Sequence, residues 1–519
     1  MIKMKAKKAK SGIFKIIFSR TALVAALLLF QIGLMIATIT SIEKYAFSVY
    51  VSFIVLSMIV IIYIINRKEN PAFKMSWILF VTFIPIVGTV FYIFMQIQPG
   101  TRYIGKRLFE LGEKTKPYMF QNDKIIEDLR ISKPANANLA HYLSKQVGFP
   151  VHRNTKVTYF RVGEEKFEEL KRQLESAKHF IFMEYFIVEE GIMWDSILEI
   201  LKRKVDEGVE VRFMYDGMCS IVLLPYQYPK KLEEMGIRCK MFSPIKPVLS
   251  THQNNRDHRK ICVIDGQAAF TGGINLADEY INEKERFGHW KDTAVMLQGE
   301  AVQNFTMMFL QMWNVTEKEK ENFEKYLTPK SKEFRRELGY VLPYGDSPYD
   351  NENIGEQVYF HILNHAKKYV HIMTPYLILD NEMVTNLTYA AKCGIEVIII
   401  MPHIPDKWYA FVLAKTYYEE LINAGVQIYE YTPGFVHAKV FVSDDDTATV
   451  GTINLDYRSL YLHFECGTFI YNNQVVRDIE KDFQETLAKC QKMTMTEVRN
   501  RSTFVKIYGQ VLRLVAPLM

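Results

Sequence analysis

The strongest constraint on the fold is an internal repeat that covers most of the chain after residue 150. Residues 167–215 and 356–401 each read as helix, strand, helix, strand, and each second helix ends at a glycine, Gly208 or Gly394. Such an ending is typical of a left-handed C-terminal cap. Strands that alternate with helices predict an α/β fold with two repeats, in which each repeat is a mostly parallel sheet flanked by helices.

Each repeat then carries the same polar motif at the same place. The sequence HRKICVID starts at His258 and HAKVFVSD starts at His437, and both continue to a glycine and an asparagine at identical spacings. Two copies at equivalent places are not expected by chance, so the motif indicates a function. The shared pattern consists of His258, Lys260, Asp265 and Asn275 in the first repeat, and His437, Lys439, Asp444 and Asn454 in the second.

The strand-like pattern of the motif predicts which side chains face a common pocket. Residues two apart on a strand point to the same side, so we expect the histidine and the lysine of each copy to face the interface between the repeats. About a pseudo-twofold axis, two imidazoles and two ammonium groups would then meet. Asp265 and Asp444 lie at an odd offset from their histidines, so we expect them to face away and either to hold turns or to pair with basic groups.

This set of groups suits reaction at a phosphodiester. The two lysines and the two asparagine amides are candidate phosphate-binding groups, because they can stabilise negative charge without a metal. One histidine can attack phosphorus, and the other can act first as an acid and then as a base. We expect each histidine to be oriented by a carboxylate of its own repeat, Asp292 for His258 and Glu465 for His437.

The first hundred residues predict a membrane region. Three uncharged apolar runs, 21–42, 45–66 and 75–101, are each long enough to cross a bilayer. The third run contains Pro85 and Gly88, so it either crosses or dips in and returns. The expectation is therefore a multi-pass membrane protein with two or three hydrophobic helices.

These features divide the chain into five parts. They are a membrane region (1–101), a connecting segment (102–150), two α/β halves (151–330 and 331–490) and a C-terminal segment (491–519). Within the last part, residues 504–519 are apolar with two basic residues, Lys506 and Arg513, and they either lie on the membrane as an amphipathic helix or pack in the core. The aromatic-rich stretch 406–421 either lines a lipid entrance or packs as an ordinary helix.

Composition excludes several classes of function. The formal net charge of +6 is mild for 519 residues, which argues against nucleic acid as a partner. The six cysteines form no C-x-x-C pair, and the 12 histidines show no metal-ligand spacing. We therefore expect neither a metal nor another cofactor.

The two motifs resemble the paired HKD motifs of the phospholipase D superfamily. The stretches FMEYFIV, NNRDHRKICVIDG, TGGINLADEYI and FGHWKDT resemble those of bacterial cardiolipin synthases, and the resemblance covers about residues 66–519. It implies that the six HKD residues transfer a phosphatidyl group from one phosphatidylglycerol to a second through a covalent phosphatidyl-histidine, giving cardiolipin and glycerol. It also implies a place in the bacterial plasma membrane, no metal, and His258 as the nucleophile.

Three alternatives stay open on the sequence alone. A phospholipase D-type hydrolase or another phosphatidyltransferase would use the same site with water or a different alcohol. A membrane-tethered nuclease of the superfamily would need a more basic body. A non-enzymatic scaffold would usually have lost a histidine or a lysine from one copy, and both copies are complete.

Overall fold

The computed structural model describes residues 46–96, 99–219, 223–225, 227–243, 254–319, 321–329, 334, 337–350 and 352–518. The first apolar run, 21–42, lies outside these residues. Within them, a group of N-terminal helices precedes two α/β halves of like topology. Apolar side chains from both halves share one buried cluster, so the halves pack directly against each other.

One sheet of seven strands forms the first half. Its strands are β1 (Thr155–Phe160), β2 (Phe180–Tyr185), β3 (Glu210–Asp216), β4 (Arg238–Phe242), β5 (Ile261–Ile264), β6 (Ala268–Gly272) and β8 (Ala294–Gly299), while β7 (His289–Lys291) lies apart from it. The order across the sheet is β1-β8-β6-β5-β2-β3-β4. The three central strands, β2, β5 and β6, are buried over their whole length, as expected where both faces of a sheet are covered.

One sheet of eight strands forms the second half and repeats that order. Its strands are β9 (Tyr340–Asp346), β10 (Tyr369–Met373), β11 (Glu396–Pro402), β12 (Gln427–Tyr431), β14 (Val440–Ser443), β15 (Thr447–Gly451), β16 (Glu465–Tyr471) and β17 (Cys490–Lys492), while β13 (Gly434–Val436) lies apart. The order is β17-β12-β11-β10-β14-β15-β16-β9. Apart from β17, each strand has the same neighbours as its counterpart, so the predicted repeat is confirmed.

The prediction of mostly parallel sheets is wrong. In each sheet only two strand pairs are parallel, β2–β3 and β3–β4 in the first and β10–β11 and β11–β12 in the second. The other pairs are antiparallel, including β5 with β6. The physical reason is the short connection: β5 and β6 are joined by a tight turn through Asp265 and Gly266, both with positive φ, and a tight turn can join only antiparallel strands.

Helices cover both sheets. Those of the two halves are α7 (Gly163–Ser176), α8 (Ile192–Asp206), α9 (Tyr228–Glu233), α10 (Val302–Asn314), α11 (Ile354–His365), α12 (Asn381–Lys392), α13 (Trp408–Ala414), α14 (Tyr418–Asn423), α15 (Val475–Leu487), α16 (Met495–Arg499) and α17 (Thr503–Val515). Helix α10 is buried on nearly every side, and its Phe309 stacks on Phe182 of β2 with 4.8 Å between ring centroids. This helix supplies much of the core next to the interface.

The N-terminal helices include a sharp reversal in the third apolar run. The helices before β1 are α1 (Ala46–Asn66), α2 (Pro71–Phe83), α3 (Pro85–Gln96), α4 (Pro99–Thr115), α5 (Asp123–Ser132) and α6 (Pro134–His141). Helices α2 and α3 form a hairpin, in which a Cβ atom on Gly88 would lie 2.6 Å from the Phe80 carbonyl oxygen. The rings of Trp77 and Tyr92 lie 5.2 Å apart across it. The chain therefore reverses direction within this run, while its relation to a membrane stays a prediction.

The predicted membrane-spanning helices stay a prediction. Among the described residues, none of the helices combines the length and the hydropathy that a bilayer crossing requires.

Candidate active site

The two motif segments meet at the interface between the halves. His258 and Lys260 lie immediately before β5, and His437 and Lys439 lie immediately before β14. The expected strand alternation therefore does not set their directions, because the strands begin one residue after each lysine. Instead, each lysine Nζ donates a hydrogen bond to the carbonyl oxygen of its own histidine, at 2.5 Å for Lys260. The lysine is thus folded back beside the histidine.

Backbone hydrogen bonds cross between the halves at both histidines. The His258 N–H donates to the Phe464 carbonyl at 2.9 Å, and the His437 N–H donates to the Lys291 carbonyl at 2.7 Å. Strand β7 of the first half pairs in parallel with β13 of the second, and a parallel bridge stands at the matching place before His258. Each histidine is therefore positioned by the backbone of the opposite half.

The orienting carboxylates are exchanged between the halves. Nδ1 of His258 lies 2.8 and 3.0 Å from the two carboxylate oxygens of Glu465. Nδ1 of His437 lies 2.6 Å from Oδ2 of Asp292. The expectation that Asp292 serves His258 and Glu465 serves His437 was wrong, because each carboxylate follows a segment that pairs with the other half. Both carboxylates do contact a motif histidine, but each contacts that of the other repeat, and their orienting role stays a prediction.

The four basic groups are buried close together, and this depresses their pKa values. Burial lowers the pKa of Lys260 to about 8 and that of Lys439 to about 7. Burial, followed by the charge of Lys439, lowers the pKa of His437 to about 4. Burial, followed by the charge of Lys260, holds the pKa of His258 well below its usual value. A phosphate group placed between them would offset this crowding of positive charge.

The two carboxylates differ in charge state. Burial raises the pKa of Glu465 to about 8. Burial also acts to raise the pKa of Asp292, but the charge of His437 and its hydrogen bond outweigh that effect, so the pKa lies below its usual value. At neutral pH the two half-sites are therefore unlike: His437 faces an ionised carboxylate, and His258 faces one that holds its proton.

The motif aspartates hold turns at the far ends of the motif strands. Asp265 has a φ of 53°, and its carboxylate accepts hydrogen bonds from the backbone N–H groups of Lys178, His179 and Phe180 at 2.7 to 2.8 Å. Asp444 has a φ of 54° and accepts from Lys367, Lys368 and Tyr369 in the same manner. This geometry agrees with the interpretation that they hold turns, and a direct catalytic role for them stays a prediction.

We expect Asp265→Ala to lower the free energy of unfolding by about 2–4 kcal/mol, because three backbone donors lose a charged acceptor and alanine is strained at positive φ. Asp265→Asn is the matched control, since asparagine keeps an acceptor and tolerates this φ, and it should cost less. Denaturant unfolding of both variants measures the difference. Equal losses for the two variants would contradict the role assigned to the carboxylate.

The predicted phosphate-binding asparagines have unlike surroundings. Oδ1 of Asn275 accepts from the Ile187 N–H at 3.0 Å, and its Nδ2 donates to the Tyr280 hydroxyl at 2.7 Å. Oδ1 of Asn454 is buried and has no hydrogen-bond partner among the described residues. The Asn275 amide thus has a structural task already, and phosphate binding stays a prediction for both.

One residue of the pocket was missed by the sequence reasoning. His463 lies beside His258, with 5.6 Å between ring centroids, and its Nδ1 is 3.9 Å from Oε1 of Glu465. It stands two residues before Glu465, as Trp290 stands two residues before Asp292, so an alignment of the two repeats at those carboxylates would have found it.

The cluster of His258, His463 and Glu465 has the spacing of a candidate cation site, since its potential ligand atoms lie within 4.8 Å of one another. Positive charges on Arg458 and Lys260 act on His463, however, and oppose the binding of a divalent cation. We do not assign the cluster to a metal, and the expectation of a site without metal or cofactor stays a prediction.

Comparison with known families bears directly on this arrangement. A family model described as "Cardiolipin synthase, PLD-like domain" matches residues 170–313 and 359–487. These ranges include His258 with Lys260 and His437 with Lys439. The cardiolipin synthase of Halalkalibacterium halodurans is 33% identical over 479 residues, which cover 91% of this chain and 94% of that protein. The chain belongs to the cardiolipin synthase family. The resemblance stated from the motifs is thereby confirmed.

Other comparisons agree with membership of the cardiolipin synthase family. Cardiolipin synthase 2 of Bacillus anthracis is 33% identical over 464 residues, covering 88% of this chain and 89% of that protein. An uncharacterized protein of Streptococcus mutans is 53% identical over 459 residues, covering 88% of this chain and 99% of that protein. A second family model, described as "Phospholipase_D-nuclease N-terminal", matches residues 55–95.

A solved structure supports the fold. The phosphatidylserine synthase of Haemophilus influenzae superposes with a TM-score of 0.56 at 14% identity, covering 75% of this chain and 99% of that chain. At this identity the likeness concerns the fold alone, and it agrees with the two packed α/β halves.

Proposed function

We propose that this chain is a cardiolipin synthase, which transfers the phosphatidyl group of one phosphatidylglycerol to a hydroxyl of a second and releases glycerol. Relatives with that name match nine tenths of the chain at about one third identity, which bears out the expectation of a phosphatidyltransferase of this family. The choice of phosphatidylglycerol as both donor and acceptor, and the covalent intermediate, are our proposals.

The observation that carries the proposal is the pair of histidine–carboxylate contacts, exchanged between the halves, with a lysine beside each histidine. A phosphatidyl group between the histidines would have one imidazole at hand for attack and the other for the leaving glycerol. The two lysines would stabilise the charge that grows on the phosphate oxygens. The same pair then serves the second half-reaction in reverse order.

The difference between the two carboxylates indicates which histidine is the nucleophile and which is the acid. A nucleophile must be neutral, and burial and neighbouring positive charge hold the pKa of His258 well below its usual value. An acid must carry a proton. Burial lowers the pKa of His437 to about 4, but Asp292 beside it is ionised, and a bound phosphate would add negative charge that favours the imidazolium. We therefore assign attack on phosphorus to His258 and protonation of the leaving glycerol to His437. The family resemblance implies the same nucleophile.

The proposal is tested with purified full-length protein and phosphatidylglycerol as the only lipid, with products read by mass spectrometry. We expect cardiolipin and glycerol in equal amounts. Phosphatidic acid as the only lipid product would move the assignment to a hydrolase. A product formed only when a different alcohol is added would move it to another phosphatidyltransferase.

We also propose that an apolar face lets the enzyme draw its lipids from the plasma membrane. Helix α17 turns Phe504, Ile507 and Val511 to its exposed side. The same helix contacts α2 through a hydrogen bond from the Ser76 hydroxyl to the Leu514 carbonyl, so this face is continuous with the apolar N-terminal helices. Such a face suits an amphipathic helix in the bilayer interface, and it argues against the core-helix alternative.

The aromatic stretch 406–421, next to α17, is partly buried and partly exposed. Most of α13 is buried as in ordinary packing, but Trp408 is exposed and stacks on Tyr508 with 5.3 Å between ring centroids. A cleft of about 10 Å³, room for about one water molecule, lies against α13, and Phe411 and Phe435 contribute to its wall. The Phe435 ring also lies 5.9 Å from the ring of His437, but the cleft is too small for a lipid chain, so a lipid entrance at this stretch stays a prediction.

We expect Trp408 to contact lipid. In a Trp77→Phe background, vesicles of phosphatidylglycerol and brominated phosphatidylcholine should quench tryptophan emission, because the exposed indole would lie among the acyl chains. The matched protein, with Trp408→Phe added, should lose most of that quenching, since Trp194, Trp290 and Trp313 are buried. Equal quenching in the two proteins would contradict contact of this face with the membrane.

A further inference from the structure

His463 is a buried imidazole without a hydrogen-bond partner. Its side chain is 10% exposed, and neither ring nitrogen has a partner among the described residues. Buried polar groups usually find a partner, so an orphaned ring needs an explanation. The nearest acidic group is the Glu465 carboxylate, 3.9 Å from Nδ1, a separation that a small rotation of the ring would close to a hydrogen bond.

The other half-site has an indole at the matching place. Trp290 packs against His437 with 5.4 Å between ring centroids and 46° between planes, and His463 packs against His258 with 5.6 Å and 43°. The packing is therefore nearly the same in the two half-sites, while the chemistry differs. An indole cannot take up a proton near neutral pH, whereas an imidazole can. Packing alone does not account for a histidine on the Glu465 side.

Glu465 faces two imidazoles. Its Oε1 lies 2.8 Å from Nδ1 of His258, the Thr452 hydroxyl donates to Oε2, and His463 approaches from a third side. The charges of Lys260 and Asp456 also act on this carboxylate. Asp292 has no such arrangement, since its carboxylate contacts the ring of His437 and the backbone N–H of Thr293.

The basic groups around His463 keep its ring neutral and oppose its protonation until negative charge enters the pocket. Burial, followed by the charge of Arg458 and then that of Lys260, holds its pKa well below the usual value. Arg256 and Lys407 act in the same direction. A bound phosphate group would oppose these charges and make protonation of the ring easier.

The chemistry at His258 creates a need for such an acceptor. When Nε2 of His258 bonds to phosphorus, the ring becomes a cation that still holds its Nδ1 proton, and an ionised carboxylate opposite would stabilise it. Glu465 nevertheless holds a proton at neutral pH, because burial raises its pKa to about 8. That proton must leave the carboxylate as the intermediate forms.

We propose that His463 is a positioning residue that takes up the Glu465 proton when His258 is phosphorylated and returns it when the intermediate breaks down. The inference rests on the proposed function. In the first step the His258 Nε2–phosphorus bond forms, the bond from phosphorus to the glycerol oxygen breaks, and that oxygen takes a proton from His437. The Glu465 proton moves to a ring nitrogen of His463. In the second step every one of these transfers is reversed, with the acceptor hydroxyl in place of glycerol.

A difference in pH dependence follows. With His463 present, Glu465 is ionised by an internal transfer, so its ionisation does not require loss of a proton to solvent. Without His463, the Glu465 proton must go to solvent, and the active fraction then falls as the pH drops below about 8. Lys260 and Lys439 titrate in the same range in both proteins, so the informative quantity is the ratio of variant to wild-type rate.

The experiment compares wild-type protein with His463→Gln in phosphatidylglycerol mixed micelles between pH 6 and pH 9. Glutamine keeps a polar side chain of similar size that cannot take up a proton. For His463→Gln we expect a rate of cardiolipin formation within about threefold of the wild-type rate at pH 9. At pH 6.5 its rate should be at least about tenfold lower than the wild-type rate at the same pH. Imidazole added to His463→Ala should restore part of the rate at low pH. His361→Gln, which removes an imidazole bonded to Asn136 outside the pocket, is the matched control and should show a constant ratio.

A constant ratio across the pH range for His463→Gln would overturn the proposal and leave a role in packing alone. The rate at pH 9 also reports whether the variant folds, so a misfolded protein cannot imitate the expected result. Failure of the proposed function would look different. In that case the wild-type protein itself would form no cardiolipin. Its transfer of the phosphatidyl group to water would form phosphatidic acid, and the rate of that reaction would still give the ratio of variant to wild-type rate.

Discussion

Replacing His258 with alanine is expected to lower cardiolipin formation by at least about a thousandfold, because it removes the proposed nucleophile, the one imidazole that is hydrogen-bonded to Glu465 among the described residues. Replacing His437 with alanine is expected to have a similar effect with phosphatidylglycerol, since the glycerol oxygen leaves poorly without a proton. Initial rates of cardiolipin formation measure both. Substantial turnover in either variant would rule out the two-histidine mechanism.

A substrate with a better leaving group separates the two roles. With a phosphatidyl ester of p-nitrophenol, the leaving group needs no proton, so His437→Ala should release nitrophenol at close to the wild-type rate in the first turnover. His258→Ala should release none. The reverse pattern would exchange the roles assigned to the two histidines while leaving the site itself intact.

Asp292→Asn is expected to cause the second largest loss, about a thousandfold or more in turnover. The short contact from Nδ1 of His437 to Oδ2 of Asp292 fixes which ring nitrogen carries the proton. An amide in place of the carboxylate removes the negative charge that stabilises an imidazolium and can turn an N–H towards the ring, which favours the wrong tautomer. Thermal unfolding should change little, because the two side chains have nearly the same shape.

A double variant tests the exchange between halves. If Asp292 acts through His437, adding Asp292→Asn to His437→Ala should lower the residual nitrophenol release no further, because the pair works as a unit. A further fall in that release would instead couple Asp292 to His258, the histidine still present. Coupling to His258 instead of His437 would mean that the carboxylates serve their own repeats, as the sequence had suggested.

The identity of the site residues could be predicted from the sequence, but their pairing could not. A repeated motif places His258 and His437 at equivalent positions, and symmetry then requires that they meet. The partner of each histidine depends on the pairing of β7 with β13, two segments about 145 residues apart, and no local pattern specifies that register. The three-residue strands involved are too short to stand out from the surrounding loops.

The direction of the strands was missed for a different reason. Asp265 and Gly266 form the turn of a hairpin, and an aspartate followed by glycine between two apolar runs is a known hairpin signal. We expected Asp265 to hold a turn, but we did not join that turn to a hairpin. His463 was missed because its counterpart in the other repeat is Trp290, so the repeated motif does not include it. Only the structure puts it beside Glu465 and reveals the contrast with Trp290.

The most direct test of the central claim is the detection of the covalent intermediate. His437→Ala protein is mixed with the nitrophenyl substrate, quenched in alkali and digested, and the peptides that contain His258 and His437 are analysed by mass spectrometry. Phosphohistidine survives alkali, so we expect a phosphatidyl or phosphate adduct on His258. No adduct is expected in the protein in which His258 is replaced as well. Nitrophenol release without any adduct, or an adduct on another residue, would contradict a mechanism in which His258 attacks phosphorus at a site shared by the two halves.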